Sequence, residues 1–278
     1  MGHQVSLVAQ PSSSLPGVTC FPARNAHQAL LAVPQDADFV HFHGWAPSEH
    51  YSKPWVYTLH GNTNNLHLLP LHTVGISSDH AIRHGLRRFV YNGIDPEEFI
   101  FKQSKHDFLL FFSKVRRRVK GARRALELAK KFRQKMVFAG GNRLDLLKVG
   151  GFMDSLNRDI RFMGEIGGVE KANCFADAKA LVFPIDWDEP FGLVMIEALM
   201  SGTPVIATPR GSVPELITDV VGALFEKDDE FEQALEHALS CSPMDCREYA
   251  VSKFSSKKCA ENYVALYEDI LNGDTRFR

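Results

Sequence analysis

Two glutamates eight residues apart carry the most informative chemistry in the chain. Glu189 and Glu197 lie in Pro184-Ile185-Asp186-Trp187-Asp188-Glu189-Pro190-Phe191-Gly192-Leu193-Val194-Met195-Ile196-Glu197-Ala198. The apolar run before Pro184 reads as a buried strand, and a helix opens near Phe191. Helix N-termini expose unpaired N–H groups and a partial positive charge, so anions bind there. Gly192 lets a phosphate come close to the backbone. Acids beside an anion site look contradictory unless they accept hydrogen bonds from hydroxyls. A nucleotide sugar meets both demands, with a diphosphate for the helix end and hydroxyls for the acids. The plainer alternative is a helix with exposed acids in its first turns, where acids are favoured anyway.

A second segment, Phe112-Ser113-Lys114-Val115-Arg116-Arg117-Arg118-Val119-Lys120-Gly121, runs from a strand end through a cationic loop into a helix. Fixed cations there could neutralise a diphosphate leaving group. Solvated surface is the ordinary role for most of them, and a patch for anionic lipid or nucleic acid is a third reading. No aromatic residues interleave the cations, which argues against nucleic acid. A third segment, Tyr57-Thr58-Leu59-His60-Gly61-Asn62, places His60 at a strand's carboxyl end. His41, His43, His67 and His72 are near in sequence, but no metal-ligand spacing appears and we expect no metal.

The elements that must position these residues are legible as short apolar runs. In the first part, strands are expected over Val5–Ala9, Phe39–His43, Trp55–Leu59 and Val74–Ser77, with a short helix over Ala26–Val33. In the second, strands are expected over Phe108–Ser113, Met136–Ala139, Ile160–Met163, Ala180–Pro184 and Pro204–Thr208. Helices are expected over 121–134, Val169–Ala178, Leu193–Met200, Val213–Ile217 and Ala260–Leu271. Strands apolar on both faces and alternating with helices indicate α/β domains with doubly wound parallel sheets. Ligands bind such sheets outside the carboxyl ends of the strands.

At 278 residues the chain suits two domains, and 45% hydrophobic with 23% charged residues excludes a largely disordered protein. Ten of its twelve histidines precede residue 85, whereas Lys114 to Lys135 holds eleven Lys or Arg and one acid. The composition shifts near Asn92-Gly93-Ile94-Asp95-Pro96, a turn-rich stretch. The boundary is expected within 92–106, giving domains 1–98 and 99–260 with a final helical segment 261–278 that packs back toward the first domain. Net charge is −1, which does not indicate nucleic acid. No apolar run reaches the roughly 20 residues that cross a bilayer, and no signal peptide is evident. Five scattered cysteines form no C-x-x-C pair, so free thiols in the cytoplasm are expected.

Together these segments resemble the family 4 retaining glycosyltransferases of the GT-B fold (glycosyl transferases group 1). EPFGLVMIEALMSGTPVIATPRGSVPELI carries the family's spaced glutamates, FSKVRRRVKG is similar to its strand-loop-Lys-Gly element, YNGIDPEEF to its inter-domain segment and YTLHG to its histidine strand. The resemblance covers nearly all of 38–270 and implies two Rossmann-like domains facing across a cleft. It implies that Lys120 binds the donor diphosphate together with Lys114, which stands where the family usually has Arg. A lysine offers a point charge where arginine offers a fork. It further implies that Glu189 holds sugar hydroxyls, that Phe191, Gly192 and Leu193 offer backbone N–H groups, and that Glu197 holds the ribose. His60 would contact the transferred sugar from the opposite domain, and Ile166 would line the base pocket. Ser113 replaces a common glycine. Glu189, His60 and Lys120 are the expected catalytic set.

One departure is large. The family's Gly-rich loop and long helix after the first strand have no counterpart here, because the G-H-x-V strand is already Gly2-His3-Gln4-Val5. The first domain is therefore small, and acceptor recognition is the function most affected. The resemblance implies metal-independent transfer of a hexose from a UDP-, GDP- or ADP-sugar to a glycan, lipid-linked or small-molecule hydroxyl, with no cofactor. A non-catalytic or partner-dependent subunit and a nucleotide-sugar epimerase are the rivals. The Arg116–Arg118 run adds an expected attraction to an anionic acceptor or to the inner membrane surface, and an oligomer or partner protein stays open.

Overall fold

The computed structural model describes residues 2–48, 51–274 and 276–277. The first part contains β1 (Ser6–Ala9), β2 (Thr19–Pro22), α1 (Ala26–Ala32), β3 (Val40–His43), β4 (Trp55–Thr58), β5 (Thr73–Val74) and α2 (Ser78–Arg83). The second contains β6 (His106–Phe112), α3 (Ala122–Lys131), β7 (Met136–Ala139), α4 (Leu146–Val149), β8 (Ile160–Gly164), α5 (Gly168–Asp177), β9 (Ala178–Phe183), α6 (Leu193–Met200), β10 (Val205–Ala207), α7 (Val213–Leu216), β11 (Gly222–Leu224), α8 (Phe231–Ser240), α9 (Pro243–Phe254) and α10 (Ser256–Leu271).

The second part is built on a six-stranded sheet ordered β11-β10-β9-β6-β7-β8, with every pair parallel. Successive residues of its strands point to opposite faces. Leu110, Val137, Leu181 and Phe183 pack with Phe175 of α5, Met195 and Leu199 of α6 and Phe254 of α9. Leu109, Phe111, Met136, Phe138, Ala180 and Val182 pack on the other face with Leu126 of α3, Leu146 of α4 and Phe231 and Leu235 of α8. Helices on both faces explain why these strands read as unbroken apolar runs. The chain steps outward from β6 to β7 to β8, then returns to lay β9 on the other side of β6. The carboxyl ends of β6 and β9 therefore flank the switch point of the sheet, where crevices form.

The first part holds two parallel sheets, β1-β2 and β3-β4-β5. Residues 2–37 contribute a single buried apolar residue, Ala23, among those described. By contrast β4 and β5 bury Val56 and Val74 against Leu266 of α10 and Phe277, with Tyr263, Tyr267 and Ile270 packed alongside. The final helix thus lies on the sheet of the first part, and Arg88 pairs there with Asp269 at 3.1 Å. The two chain segments that pass between the parts also pair, since Ile94 N–H donates to Phe254 O at 3.0 Å and Ser256 N–H to Ile94 O at 2.8 Å. Gly93 permits this approach, as a Cβ there would lie 2.5 Å from Cys259 Cβ.

The structure corrects one expected strand. Val74–Ser77 does not continue as strand, because Gly75 turns to a single parallel bridge with Phe89 and Ser77 caps α2 by accepting from His80 N–H. The sequence reading also lacked β2, α2, α4, β11, α8 and α9. The final helix begins at Ser256, four residues before the expected Ala260, with Ser255 as its N-cap.

Candidate active site

Lys120 follows β6 and Glu189 follows β9, so the topology brings both to the switch point. Gly121 ends the Lys120 turn at φ 78°, in the left-handed region open to glycine, and a Cβ there would run into the Pro184 carbonyl. The Lys120 loop is thereby pressed onto the start of the Glu189 loop, and Asp186 N–H donates to Val119 O at 2.9 Å. Lys120 Nζ donates to Glu189 Oε2 at 2.6 Å, with the side chains only 14% and 9% exposed. Trp187 Nε1–H donates to the same oxygen at 2.9 Å. The Glu189 main chain is fixed as well, because its carbonyl accepts from Ser212 N–H at 2.9 Å.

The expected N–H donors sit just beyond. Gly192, at φ 80°, turns the chain into α6. The amides of Phe191, Gly192 and Leu193 donate to no protein acceptor among the described residues. The Phe191 ring is buried against Tyr91 and Phe254, which anchors the helix start. Glu197, on the second turn of α6, accepts from Lys171 Nζ of α5 at 2.7 Å. Lys171 in turn lies 5.6 Å from the Phe112 ring centroid. Each of the paired glutamates is thus neutralised by one lysine.

Lys114 forms no ion pair with either member of the Lys120–Glu189 pair among the described residues. Lys114 is exposed and lines a cavity of about 160 Å³ with Arg116, Gly140, Gly141, Asn142, Asp145, Gly164 and Glu165, at the carboxyl ends of β6, β7 and β8. Ile166 is half-buried and packs against the α5–α6 side of the core, one residue beyond Glu165 of that cavity. The pair and the cavity both lie at the carboxyl ends of the sheet strands.

His60 lies two residues beyond β4, and its Nε2 is 2.7 Å from Nδ1 of His43, the last residue of the neighbouring strand β3. His41 lies deeper, with Nδ1 2.7 Å from Tyr267 OH and Nε2 2.7 Å from Thr58 Oγ1. Burial, reinforced by the neighbouring imidazoles, pushes His41 down to about 3 and His43 down to about 4, and burial lowers His60. Near neutral pH the three rings are uncharged hydrogen-bonding groups. Among the described residues no cluster of His, Cys, Asp and Glu is arranged to hold a metal. Asn62, two residues past His60, donates to Asp188 O at 2.8 Å, which ties the histidine loop to the Glu189 loop. Arg83 supports that tie by donating to Asn62 Oδ1 at 3.0 Å.

Sequence reasoning did not find Trp187, Lys171 or the pairing of His43 with His60. Trp187 was visible two residues before Glu189, but nothing in its spacing showed which way the indole turns. Lys171 is 26 residues from Glu197 and meets it only because α5 and α6 pack together.

The family model for glycosyl transferases group 1 matches residues 94–253, more than half of the chain, and the protein belongs to that family. An uncharacterized glycosyltransferase of Methanocaldococcus jannaschii is 26% identical over 198 residues, covering 63% of this chain and 50% of that protein. A D-inositol 3-phosphate glycosyltransferase of Corynebacterium jeikeium is 32% identical over 140 residues, covering 48% and 33%. The matches thus span half or less of the length of these curated relatives. Among solved structures, AviGT4, a glycosyltransferase involved in avilamycin A biosynthesis, superposes with a TM-score of 0.83 at 25% identity, over 98% of this chain and 86% of that one. Sucrose-phosphate synthase of Thermosynechococcus elongatus gives 0.74 at 16% identity, over 98% and 90%. The fold is GT-B.

Proposed function

We propose that this protein is a retaining hexosyltransferase that moves a hexose from a nucleoside diphosphate sugar to an acceptor hydroxyl. The observation that carries the reading is the nearly buried Lys120–Glu189 pair at the switch point, beside the free amides of Phe191, Gly192 and Leu193. The amides and two remaining Lys120 N–H groups would bind the diphosphate, and Lys114 would add charge from the neighbouring cavity. Glu189 would accept hydrogen bonds from sugar hydroxyls and Glu197 from the ribose. Ile166 would lie near the base, and His60, neutral and exposed, would meet the sugar from the other wall. The anomeric carbon–oxygen bond to the diphosphate breaks and the acceptor oxygen takes its place on the same face. The acceptor proton passes to the leaving diphosphate, so no side-chain base is required. Lysines and helix amides neutralise the leaving group, which leaves no step for a metal or cofactor.

The acceptor is a glycan, lipid-linked or small-molecule hydroxyl. The exposed Arg116–Arg118 run would draw an anionic acceptor or a membrane carrying one. No helix among the described residues is long and apolar enough to cross a membrane. The test is turnover of UDP-, GDP- and ADP-hexoses against an acceptor panel, reading nucleoside diphosphate release and the product's anomeric configuration by NMR. Retained configuration is expected. An inverted product, or isomerised donor without acceptor, contradicts the reading.

A second reading has its own observation. Strands β1 and β2 contain no buried residue and, among the described residues, pair only with each other. Such a thin unit suits a subunit whose acceptor side is completed by another polypeptide. Donor binding without transfer by the isolated chain, and transfer once a partner is added, would favour it.

A further inference from the structure

Trp187 makes two contacts that the proposed donor chemistry does not by itself require. Its indole N–H donates to Glu189 Oε2 at 2.9 Å, the oxygen that also accepts from Lys120 at 2.6 Å. Its ring face lies over the same lysine, with Nζ 4.4 Å from the ring centroid. Arg117 approaches the ring at 6.0 Å. One half-buried side chain therefore touches both members of the ion pair, through its edge and its face.

Both donors converge on Oε2, and Oε1 accepts from no protein group among the described residues. The carboxylate is thus oriented with one oxygen committed and one available. Because Ser212 holds the Glu189 carbonyl at 2.9 Å, backbone and side chain are fixed together. The indole also covers the ammonium on one side, which keeps water from the pair and strengthens it.

We propose that Trp187 is a positioning residue for Glu189, holding Oε1 ready for a donor-sugar hydroxyl. This inference rests on the reading of Glu189 as the sugar-binding carboxylate. Its physical content is a division of labour. When a diphosphate attracts Lys120, the lysine shares its three N–H groups between phosphate and carboxylate. The indole N–H does not move with it, so Oε2 keeps a donor and the rotamer holds through the reaction. Phenylalanine at this position would keep a ring over Lys120 and lose that second donor. The loss would appear when the sugar is being transferred rather than when the donor first binds.

The experiment compares wild type, Trp187→Phe, Glu189→Gln and the double variant. Donor-induced thermal shift and steady-state kinetics with the same nucleotide hexose are the readouts. Trp187→Phe is expected to lower kcat about tenfold with donor KM changed less than about twofold. Added to Glu189→Gln it should lower residual turnover no further, because both changes act on one carboxylate. A retained donor shift in Trp187→Phe confirms that the variant is folded. Full activity of Trp187→Phe, loss of its donor shift, or an undiminished loss in the Glu189→Gln background each overturns the proposal. Absence of any donor shift in wild type overturns the donor reading and this inference with it, so the two failures are distinguishable.

Discussion

Lys120 and Glu189 are 69 residues apart in sequence and meet at 2.6 Å because their loops leave adjacent parallel strands at the point where the strand order reverses. A lysine expected to bind phosphate is therefore held, before any donor arrives, by the acid expected to bind sugar. The pair is nearly buried, and removing one partner strands the other's charge.

Lys120→Ala should consequently destabilise the protein more than Lys120→Ala combined with Glu189→Gln. A nearly buried pair broken on one side costs about 3 kcal/mol, and neutralising the survivor recovers part of it. Chemical denaturation of the two variants checks this. Equal stability would show that the ion pair is solvated.

Lys171→Met should weaken donor binding without abolishing turnover. Glu197 is 13% exposed at its side chain, and Lys171 is its one cationic partner among the described residues. A donor KM raised about three- to tenfold, with kcat within about twofold, is the expected pattern. A pure kcat loss would move Lys171 into the chemical step.

Gly121→Ala should destabilise the protein by about 2 kcal/mol or more, since φ is 78° and the Pro184 carbonyl occupies the Cβ position. Thermal melting checks this, and an unchanged melting temperature would mean that the Lys120 turn relaxes freely.

Stability should fall on acidification. Burial holds His41 at about 3, and His43 and His80 at about 4, all below the ordinary value of 6.5. The unfolded chain takes up protons first as pH drops below about 6.5, so stability present above that value is lost progressively toward pH 4 and 3. His80 is satisfied as a neutral ring, accepting from Ile76 N–H on Nδ1 and donating to Gly61 O from Nε2. His41→Gln should flatten the slope of stability against pH between 6.5 and 4. An unchanged slope would contradict the buried-neutral assignment.

The second part of the fold was legible because its strands are buried on both faces. FLLFF, MVFA and ALVF are apolar without alternation, and their helices begin or end at glycines such as Gly121 and Gly192. The small elements were not. β5 is two residues long, and Ser77 turns the chain into a helix through a cap that apolar patterning does not register. In the site, Glu189 and Glu197 and the cationic loop ending at Lys120 stand out in the sequence, because a loop, a helix start and a glycine turn are local features, and the family resemblance singles out Lys120 within that loop. Trp187 and Lys171 act through side-chain direction and helix packing, which are tertiary. The histidines are visible as a group, but the hydrogen bond of His41 to Tyr267 of α10, 226 residues away, is tertiary and leaves no local trace.

The central claim is that the crevice between β6 and β9 binds a nucleoside diphosphate sugar through Lys120. Thermal shift of wild type and Lys120→Ala with UDP-, GDP- and ADP-hexoses tests it most directly. The account predicts selective stabilisation of wild type by one nucleotide class, lost in Lys120→Ala. No shift with any donor, or an equal shift in the variant, would contradict it.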